Sequence, residues 1–231
     1  MGPRSLPAVV ALLLLATAAF AAAPVDARAP PTPVCGVCDL DRTTPSGERV
    51  TAGESSLTIT VHANGSTTWR ARARLAAGAD ALATNDSFRR AVAEEAAGDG
   101  VASPGDVDSR IDGETLVVEY RAPDAAERSV GTVVFTPLTP ASPNRPMVSG
   151  GQGPRYLAAD RLTVRTGPGL DVYGPAPASP SADRLVWTPN ATDDATRPSL
   201  GVETDPVAVP QGAMAPGVRA WLARLLVGNA L

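Results

Sequence analysis

Alternating apolar and polar residues mark a pair of strands near the middle of the chain. Between residues 57 and 62, Leu, Ile and Val alternate with Thr and His. Between residues 69 and 75, Trp, Ala and Leu alternate with Arg. The pair Asn64-Gly65 lies between these two segments. Two segments of period 2 on either side of an Asn-Gly pair predict a β-hairpin.

The register of this hairpin follows from the requirement that both strands bury their apolar residues on one face. A two-residue loop at Asn64-Gly65 would place Ile59 opposite Arg70 and would put the apolar residues of the first strand on the face of the arginines. An odd-length loop restores the parity, for example a three-residue loop that pairs Ile59 with Ala71. We therefore predict a bulged turn with Gly65 in the left-handed region.

Further short strands are predicted on both sides of a long segment rich in Pro and Gly. Apolar residues alternate toward Asp112-Gly113 and away from it, and a two-residue loop there pairs Val107 with Val118 with the parity intact. Four more segments have the composition of strands and are bounded by turn-forming residues: 129–136, 161–166, 170–173 and 184–188.

The strongest helix signal covers residues 86–97. Asn85 or Asp86 caps its start and Gly98 follows its end. Its predicted apolar stripe consists of Phe88, Ala91, Val92 and Ala96. Regular turn signals between short strands predict a mainly β fold, an antiparallel β-sandwich of about seven to eight strands with one packed α-helix and a short C-terminal helix.

The N-terminal segment has the pattern of a secretory signal peptide. An apolar run at 8–16 follows Arg4 and precedes small residues at 21–23. The run is short for a membrane span, which favours a cleaved signal peptide over the alternative of an uncleaved N-terminal anchor. We therefore expect an exported protein that is extracellular or held at the cell surface. The predicted organisation is a signal peptide at 1–23, a Pro-rich stalk at 24–34, a β-sandwich domain at 35–190, a Pro-rich loop or linker at 191–216 and an amphipathic helix at 217–229.

The C-terminal helix carries an apolar stripe of Val218, Trp221, Leu222 and Leu225 at helical spacing. Two arginines flank this stripe. One interpretation places the stripe in a membrane interface, with Trp221 and the arginines at the level of the lipid headgroups. The other interpretation, which we favour slightly, docks the helix on the β-domain.

Composition and charge exclude several chemistries. All 20 basic residues are Arg, so a Schiff-base lysine and a phosphate-binding loop of the Walker type are absent. The net charge of −4 gives no indication of nucleic-acid binding. Three Asn-x-Ser/Thr sequons at Asn64, Asn85 and Asn190 are candidates for glycosylation and agree with export.

Cys35 and Cys38 form the one sharp motif of the sequence, Cys-x-x-Cys. It is interpreted as a structural disulfide in an oxidising compartment, as a dithiol redox site, or as half of a metal site, and the structural disulfide is favoured. A zinc site needs about four ligands. His62, the only histidine, is expected to be solvated on the polar face of its strand. No metal ion and no cofactor is therefore predicted.

Arg70, Arg72 and Arg74 form a basic row along one strand. The row is a candidate for contact with an anionic surface or glycan. The alternative, which is favoured, is a solvated face whose arginines pair with acidic residues of a neighbouring strand.

Two groups of residues resemble a known set of proteins. The first is the start Cys35-Gly36-Val37-Cys38-Asp39 with the later hairpin of Asn64-Gly65-Ser66 and Trp69, and the second is the strand pair at 160–164 and 185–187. Together they resemble secreted or membrane-anchored cell-surface proteins of halophilic archaea. The resemblance implies a cell-surface β-domain, in that family often followed by a transmembrane helix, and implies no catalytic residues.

These observations predict an extracytoplasmic, non-enzymatic β-domain with a structural or binding role. One alternative is an extracytoplasmic thiol oxidoreductase that uses Cys35 and Cys38. Another is a sensor ectodomain that lacks its anchor.

Overall fold

The computed structural model describes residues 30–44, 47–139, 155–174, 178–181, 183–189, 200, 202 and 204–228. The strands, in chain order, are β1 (Thr32–Pro33), β2 (Asp41–Thr43), β3 (Arg49–Val61), β4 (Thr67–Ala77), β5 (Val107–Asp112), β6 (Thr115–Ala122), β7 (Ala126–Ser129), β8 (Thr132–Phe135), β9 (Arg155–Tyr156), β10 (Arg161–Thr166), β11 (Leu170–Tyr173), β12 (Ala178–Ser181), β13 (Arg184–Trp187) and β14 (Val207–Pro210). The helices are α1 (Ala79–Thr84), α2 (Asp86–Gly98) and α3 (Pro216–Gly228), and a 3-10 helix covers Val37–Asp39. Among these described residues 44% lie in strands and 22% in helices, so the structure is mainly β, as predicted.

The large sheet has the strand order β12-β13-β10-β3-β4-β6-β5, and the short strand β2 also pairs with β3. Its neighbouring strands are antiparallel except for β10 and β3, which run parallel. The prediction of a wholly antiparallel sandwich is therefore wrong at this pair. Alternation determines which face of a strand is buried, but it carries no information about the direction of a neighbour that is distant in the chain.

The hairpin of β3 and β4 has the predicted parity. The backbone N–H of His62 donates to the carbonyl of Ser66 at 2.9 Å, which leaves three residues in the loop. Gly65 has φ +86°, so the predicted left-handed glycine is confirmed. Ile59 pairs with Trp69 rather than with Ala71, because the loop begins one residue earlier than the example given above.

The hairpin of β5 and β6 is shifted by two residues from the predicted register. Val107 pairs with Tyr120, not with Val118, because Gly113 takes the first loop position. Gly113 has φ +63°, and a positive φ at the first loop residue suits the two-residue turns of hairpins. A shift of two residues preserves the parity, so the predicted apolar face is still the one that is buried.

Helix α2 is capped as predicted, since the side chain of Asn85 accepts a hydrogen bond from the backbone N–H of Phe88 at 2.9 Å. Its buried residues are Val92, Ala93, Ala96 and Ala97. Ala91 is exposed, so the predicted stripe is wrong at that position, and Gly98 is the last helical residue rather than the one after the end. Helix α1, just before α2, was not predicted.

The second sheet has the strand order β11-β14-β8-β7 and is antiparallel throughout. The strand predicted at 129–136 is a hairpin instead, because Val130 and Gly131 have φ +51° and +71° and form a tight turn between β7 and β8. Strand β14 lies within 191–216, where the sequence indicated a loop or linker, and β14 is an interior strand of this sheet.

The second sheet lies between the large sheet and α3. One set of its residues belongs to the main core together with the large sheet and α2: Val133, Phe135, Leu170, Val172 and Ala208. Residues of its other face form a separate core with α3: Val134, Val207, Val209, Ala220, Ala223 and Val227. Trp69 of the large sheet and Phe135 join the first two layers, with ring centroids 5.9 Å apart.

The structure describes only part of the predicted N-terminal and C-terminal segments. The signal peptide at 1–23 and the start of the stalk at 24–34 lie outside the described residues. The end of that stalk belongs to the fold, because β1 pairs with β9 and Val34 is fully buried. The C-terminal helix is present at Pro216–Gly228, close to the predicted 217–229.

Candidate functional site

Cys35 and Cys38 form a disulfide. Their exposed fractions are 3% and 6%, so both residues are buried. Gly36 precedes the 3-10 helix that contains Cys38, and the backbone N–H of Cys38 lies 3.2 Å from Cys35 Sγ. A dithiol that exchanges disulfides with other proteins needs an accessible sulfur. This geometry therefore suits a structural cross-link better than a redox site.

The Cys-x-x-Cys turn packs closely against the C-terminal end of α2. A Cβ atom on Gly36 would lie 2.1 Å from the carbonyl oxygen of Ala96, a distance that no side chain tolerates. On its other side the turn is held by Tyr156, whose hydroxyl donates to Asp39 at 2.6 Å. The glycine inside the motif is thus explained by close packing against the helix.

Each arginine of the predicted basic row forms an ion pair with an acidic residue of the β5–β6 hairpin. Arg70 lies 3.7 Å from Glu119, Arg72 lies 3.5 Å from Asp112, and Arg74 lies 3.1 Å from Glu114. These distances join side-chain nitrogen and oxygen atoms at the exposed surface. Such exposed pairs contribute little to stability, about 0–1 kcal/mol each. They do cancel the charge that would attract an anion, as the favoured interpretation of the row predicts.

The same face of the large sheet also carries Arg121 and Arg165, whose charge is not cancelled in this way. We call this face, which points away from the core, the outer face. Arg165 Nε donates to Thr60 Oγ1 at 2.9 Å, and a terminal nitrogen of Arg121 donates to Ser66 Oγ at 3.1 Å. Among the described residues, no carboxylate forms an ion pair with either guanidinium. Sequence analysis did not find this pair.

The positive charges of Arg121 and Arg165 both act on His62. It is half-buried, and its Nε2 lies 2.8 Å from Thr68 Oγ1. Burial lowers the pKa of His62, and the positive charges of Arg121 and Arg165 lower it further. The histidine expected to be fully solvated is therefore a neutral hydrogen-bonding group within a cationic surface.

The asparagines of two of the three sequons are exposed, as glycosylation requires. Asn64 is exposed in the β3–β4 loop, where its Oδ1 accepts from the backbone N–H of Ser66 at 3.1 Å. Asn85 is exposed at the start of α2. In both residues the hydrogen bonds use the amide oxygen, so the nitrogen that would carry a glycan makes none of these bonds. Asn190 lies outside the described residues.

Helix α3 docks on the second sheet with its small residues and turns its larger apolar residues outward. Ala220 and Ala223 are 1% and 0% exposed, whereas Val218 and Trp221 are 63% and 62% exposed. Leu225 is also exposed and Leu222 is half-buried. Met214 and Leu226 extend the exposed apolar surface. We call the surface of Val218, Trp221, Leu225, Leu226 and Met214 the apolar face of α3.

Arg224 joins α3 to the rest of the protein through hydrogen bonds to two backbone carbonyls. Its Nε donates to the carbonyl of Asp205 at 2.6 Å, and a terminal nitrogen donates to the carbonyl of Tyr173 at 3.0 Å. Burial lowers the pKa of Arg224, although the Asp205 carboxylate opposes that shift. Burial also raises the pKa of Asp205, against a hydrogen bond from Thr139. One of the two arginines that flank the stripe is thus used for docking.

No helix among the described residues has the length and hydropathy needed to span a bilayer. No group of three or more His, Cys, Asp or Glu residues within the described ranges is arranged to hold a metal ion.

No protein-family model, no curated protein and no solved structure matches this chain.

Proposed function

We propose that the protein is an exported, non-enzymatic cell-surface module, a β-sandwich-like domain with a binding role, and that it attaches to a membrane surface through the apolar face of α3. The observation that carries this proposal is the orientation of α3. The helix uses alanines for docking and leaves Val218 and Trp221 more than half exposed.

An exposed apolar cluster of this kind marks an interaction surface, because single chains rarely leave several large apolar residues together in water. The cluster combines aliphatic side chains with a tryptophan, the residue that prefers the boundary between lipid chains and headgroups. Residues 216–228 contain no acidic residue and two arginines, of which Arg224 is used for docking and Arg219 is not. A helix with this composition suits an anionic membrane interface.

The remaining features agree with a place outside the cytoplasm. The sequence begins with a signal-peptide pattern, and the asparagines of two sequons, Asn64 and Asn85, are exposed. The buried disulfide suits an oxidising compartment. The thiol oxidoreductase and the sensor ectodomain stay alternative hypotheses, and burial of Cys35 and Cys38 counts against the first of them.

The test uses the fluorescence of Trp221. Trp69 and Trp187 are buried, so a shift in tryptophan emission on adding vesicles reports on Trp221. We expect a shift to shorter wavelength with vesicles of phosphatidylcholine and phosphatidylglycerol, and a smaller shift with phosphatidylcholine alone. Val218→Ser/Leu225→Ser should weaken binding by about tenfold or more, because two apolar side chains no longer leave water.

The matched control is Val186→Ser, which makes the same chemical change in a half-buried residue on the outer face of the large sheet. This variant should bind vesicles like the unaltered protein. The proposal is wrong if neither kind of vesicle shifts the emission. It is also wrong if light scattering reveals a dimer that Val218→Ser/Leu225→Ser disrupts, because the occupant of the face would then be a second copy of the chain.

A further inference from the structure

The outer face of the large sheet is a second surface with binding chemistry, distinct from α3. Its central strands alternate buried residues of the core with residues that point outward. Over residues 56–61 of β3, 67–74 of β4 and 161–166 of β10, the outward residues are hydroxyl-bearing or basic: Ser56, Thr58, Thr60, Thr68, Arg70, Arg72, Arg74, Arg161, Thr163 and Arg165. No described element covers these residues.

One row across this face combines both kinds of side chain in register. Arg165 pairs with Thr60, Thr60 with Thr68, and Thr68 with Arg121, so the row crosses four neighbouring strands. Strands are about 4.8 Å apart, which places the backbones of the two arginines about 14 Å from each other. Two guanidinium groups therefore flank a hydroxyl-lined strip of the sheet.

The charge of this row is available for an external anion. Arg165 and Arg121 donate to hydroxyl groups of Thr60 and Ser66, which are neutral acceptors. Arg70, by contrast, is paired with a carboxylate on the next strand. The lowered pKa of His62 agrees with this, because the charges of Arg121 and Arg165 add to the effect of burial, which is its main cause.

We propose that the outer face binds an acidic polysaccharide, whose carboxylate or sulfate groups are held by Arg121 and Arg165 and whose sugar hydroxyls bond to the threonine hydroxyls between them. The planar guanidinium group offers paired donors that match such oxyanions. Hydroxyl side chains both donate and accept, as sugar hydroxyls do.

Other polyanions fit this surface less well. A lipid membrane would require exposed apolar side chains, and the large exposed apolar residues lie elsewhere, in the β7–β8 turn and around α3. Single-stranded nucleic acid is held largely by aromatic side chains on which bases stack. The aromatic residues of the large sheet, Trp69, Tyr120 and Trp187, are all buried.

The test measures binding of dextran sulfate and of polygalacturonate by calorimetry, with uncharged dextran as the control polymer. We expect the protein to bind at least one acidic polymer, to bind it more weakly as salt is added, and not to bind dextran. Arg121→Gln/Arg165→Gln should weaken binding by about a hundredfold, since each of the two charge-assisted contacts is worth about a factor of ten.

A matched control variant removes the same charge from the same face. Arg70→Gln/Arg74→Gln breaks two ion pairs but spares the row of Arg121 and Arg165, so it should change affinity less than threefold. Thermal unfolding of both variants verifies that they are folded. A second readout is the pKa of His62, followed by NMR, which should rise when the polymer binds because its negative charge offsets the two arginines.

Three results would overturn the proposal. The first is that neither acidic polymer binds at low salt. The second is that the control variant loses as much affinity as Arg121→Gln/Arg165→Gln. The third is that a single-stranded oligonucleotide of equal charge binds more tightly than both polysaccharides, because the surface would then be selected for nucleic acid.

Discussion

At the scale of single residues, Gly65 and His62 show how a local conformation defines one end of the outer face. The turn at Gly65 brings Ser66 back beside β3, and Ser66 in turn accepts hydrogen bonds from Arg121. His62 precedes that turn and faces both arginines of the row. The position of Arg121 therefore depends on the conformation of a three-residue loop.

The first prediction concerns Gly65→Ala. The residue has φ +86°, and an added Cβ would lie 3.0 Å from the carbonyl oxygen of Ala126. We expect the free energy of unfolding in urea to fall by about 1–2 kcal/mol from the backbone conformation, with the close contact adding to that loss. Gly113→Ala is the control, because φ there is also positive but nothing lies within 4 Å. Equal losses in the two variants would contradict the predicted contact.

The second prediction concerns the pKa of His62, which NMR can follow without ambiguity because the chain has one histidine. We expect a pKa below the usual value of about 6.5, since burial and the two arginines disfavour the protonated ring. The unfolded chain then takes up the proton first as the pH falls. The contribution of His62 to stability is thus fully present above pH about 6.5 and is lost between that pH and the lower folded-state pKa.

Arg121→Gln provides the matching variant. It removes one of the two charges, so the pKa of His62 should move part of the way toward 6.5, whereas Arg70→Gln should leave it unchanged. A pKa of His62 that stays the same in Arg121→Gln would contradict the charge effect assigned to this arginine.

At the scale of secondary-structure elements, the sequence pattern predicted strands and helices best where one face of the element is buried and the other is exposed to solvent. Strands β3 and β4 alternate cleanly, and α2 carries a recognisable capping residue, so both were predicted. Strands β8 and β14 lie between two apolar layers and are buried on both faces. Their residues, Thr132–Phe135 and Val207–Pro210, show no alternation. The first segment was still predicted as part of a strand from its composition, whereas the second lies among prolines and was missed.

For the candidate surfaces too, the sequence indicated features of a single segment but not those that depend on contacts between distant segments. The stripe of α3 was visible as a helical repeat, but its outward orientation depends on alanines that fit against the second sheet. The basic row on β4 was visible too, but its acidic partners depend on which strand lies beside it. Arg121 and Arg165 are distant in sequence and meet Thr68 and Thr60 only through the register of four strands. No pattern in a single segment could have indicated that row.

The third prediction concerns the contact between the Cys-x-x-Cys turn and α2. In Gly36→Ala the new Cβ would lie 2.1 Å from the carbonyl oxygen of Ala96, so the turn or the helix has to move. We expect a loss of about 1–3 kcal/mol or more in the free energy of unfolding. The comparison variant is Gly98→Ala, at a helical position with open space, where the same change should be neutral or stabilising. A neutral Gly36→Ala would show that the turn is not packed as described.

At the scale of the whole molecule, three layers separate the two proposed binding surfaces. The outer face belongs to the large sheet, the second sheet packs on the inner side of the large sheet, and α3 covers the far side of the second sheet. The outer face and the apolar face of α3 therefore point in opposite directions. A molecule attached to a membrane through α3 would present the row of Arg121 and Arg165 away from the lipid, where an acidic polysaccharide could reach it.

The central claim, that this is an exported module with a structural disulfide, is tested most directly by the intact mass of the native protein, alkylated before and after reduction. The account predicts loss of about the first 23 residues. It also predicts alkylation of Cys35 and Cys38 only after reduction, and added glycan at Asn64 or Asn85. A mass that retains the full N-terminus, or cysteines that are alkylated without reduction, would contradict export and bring the dithiol hypothesis forward.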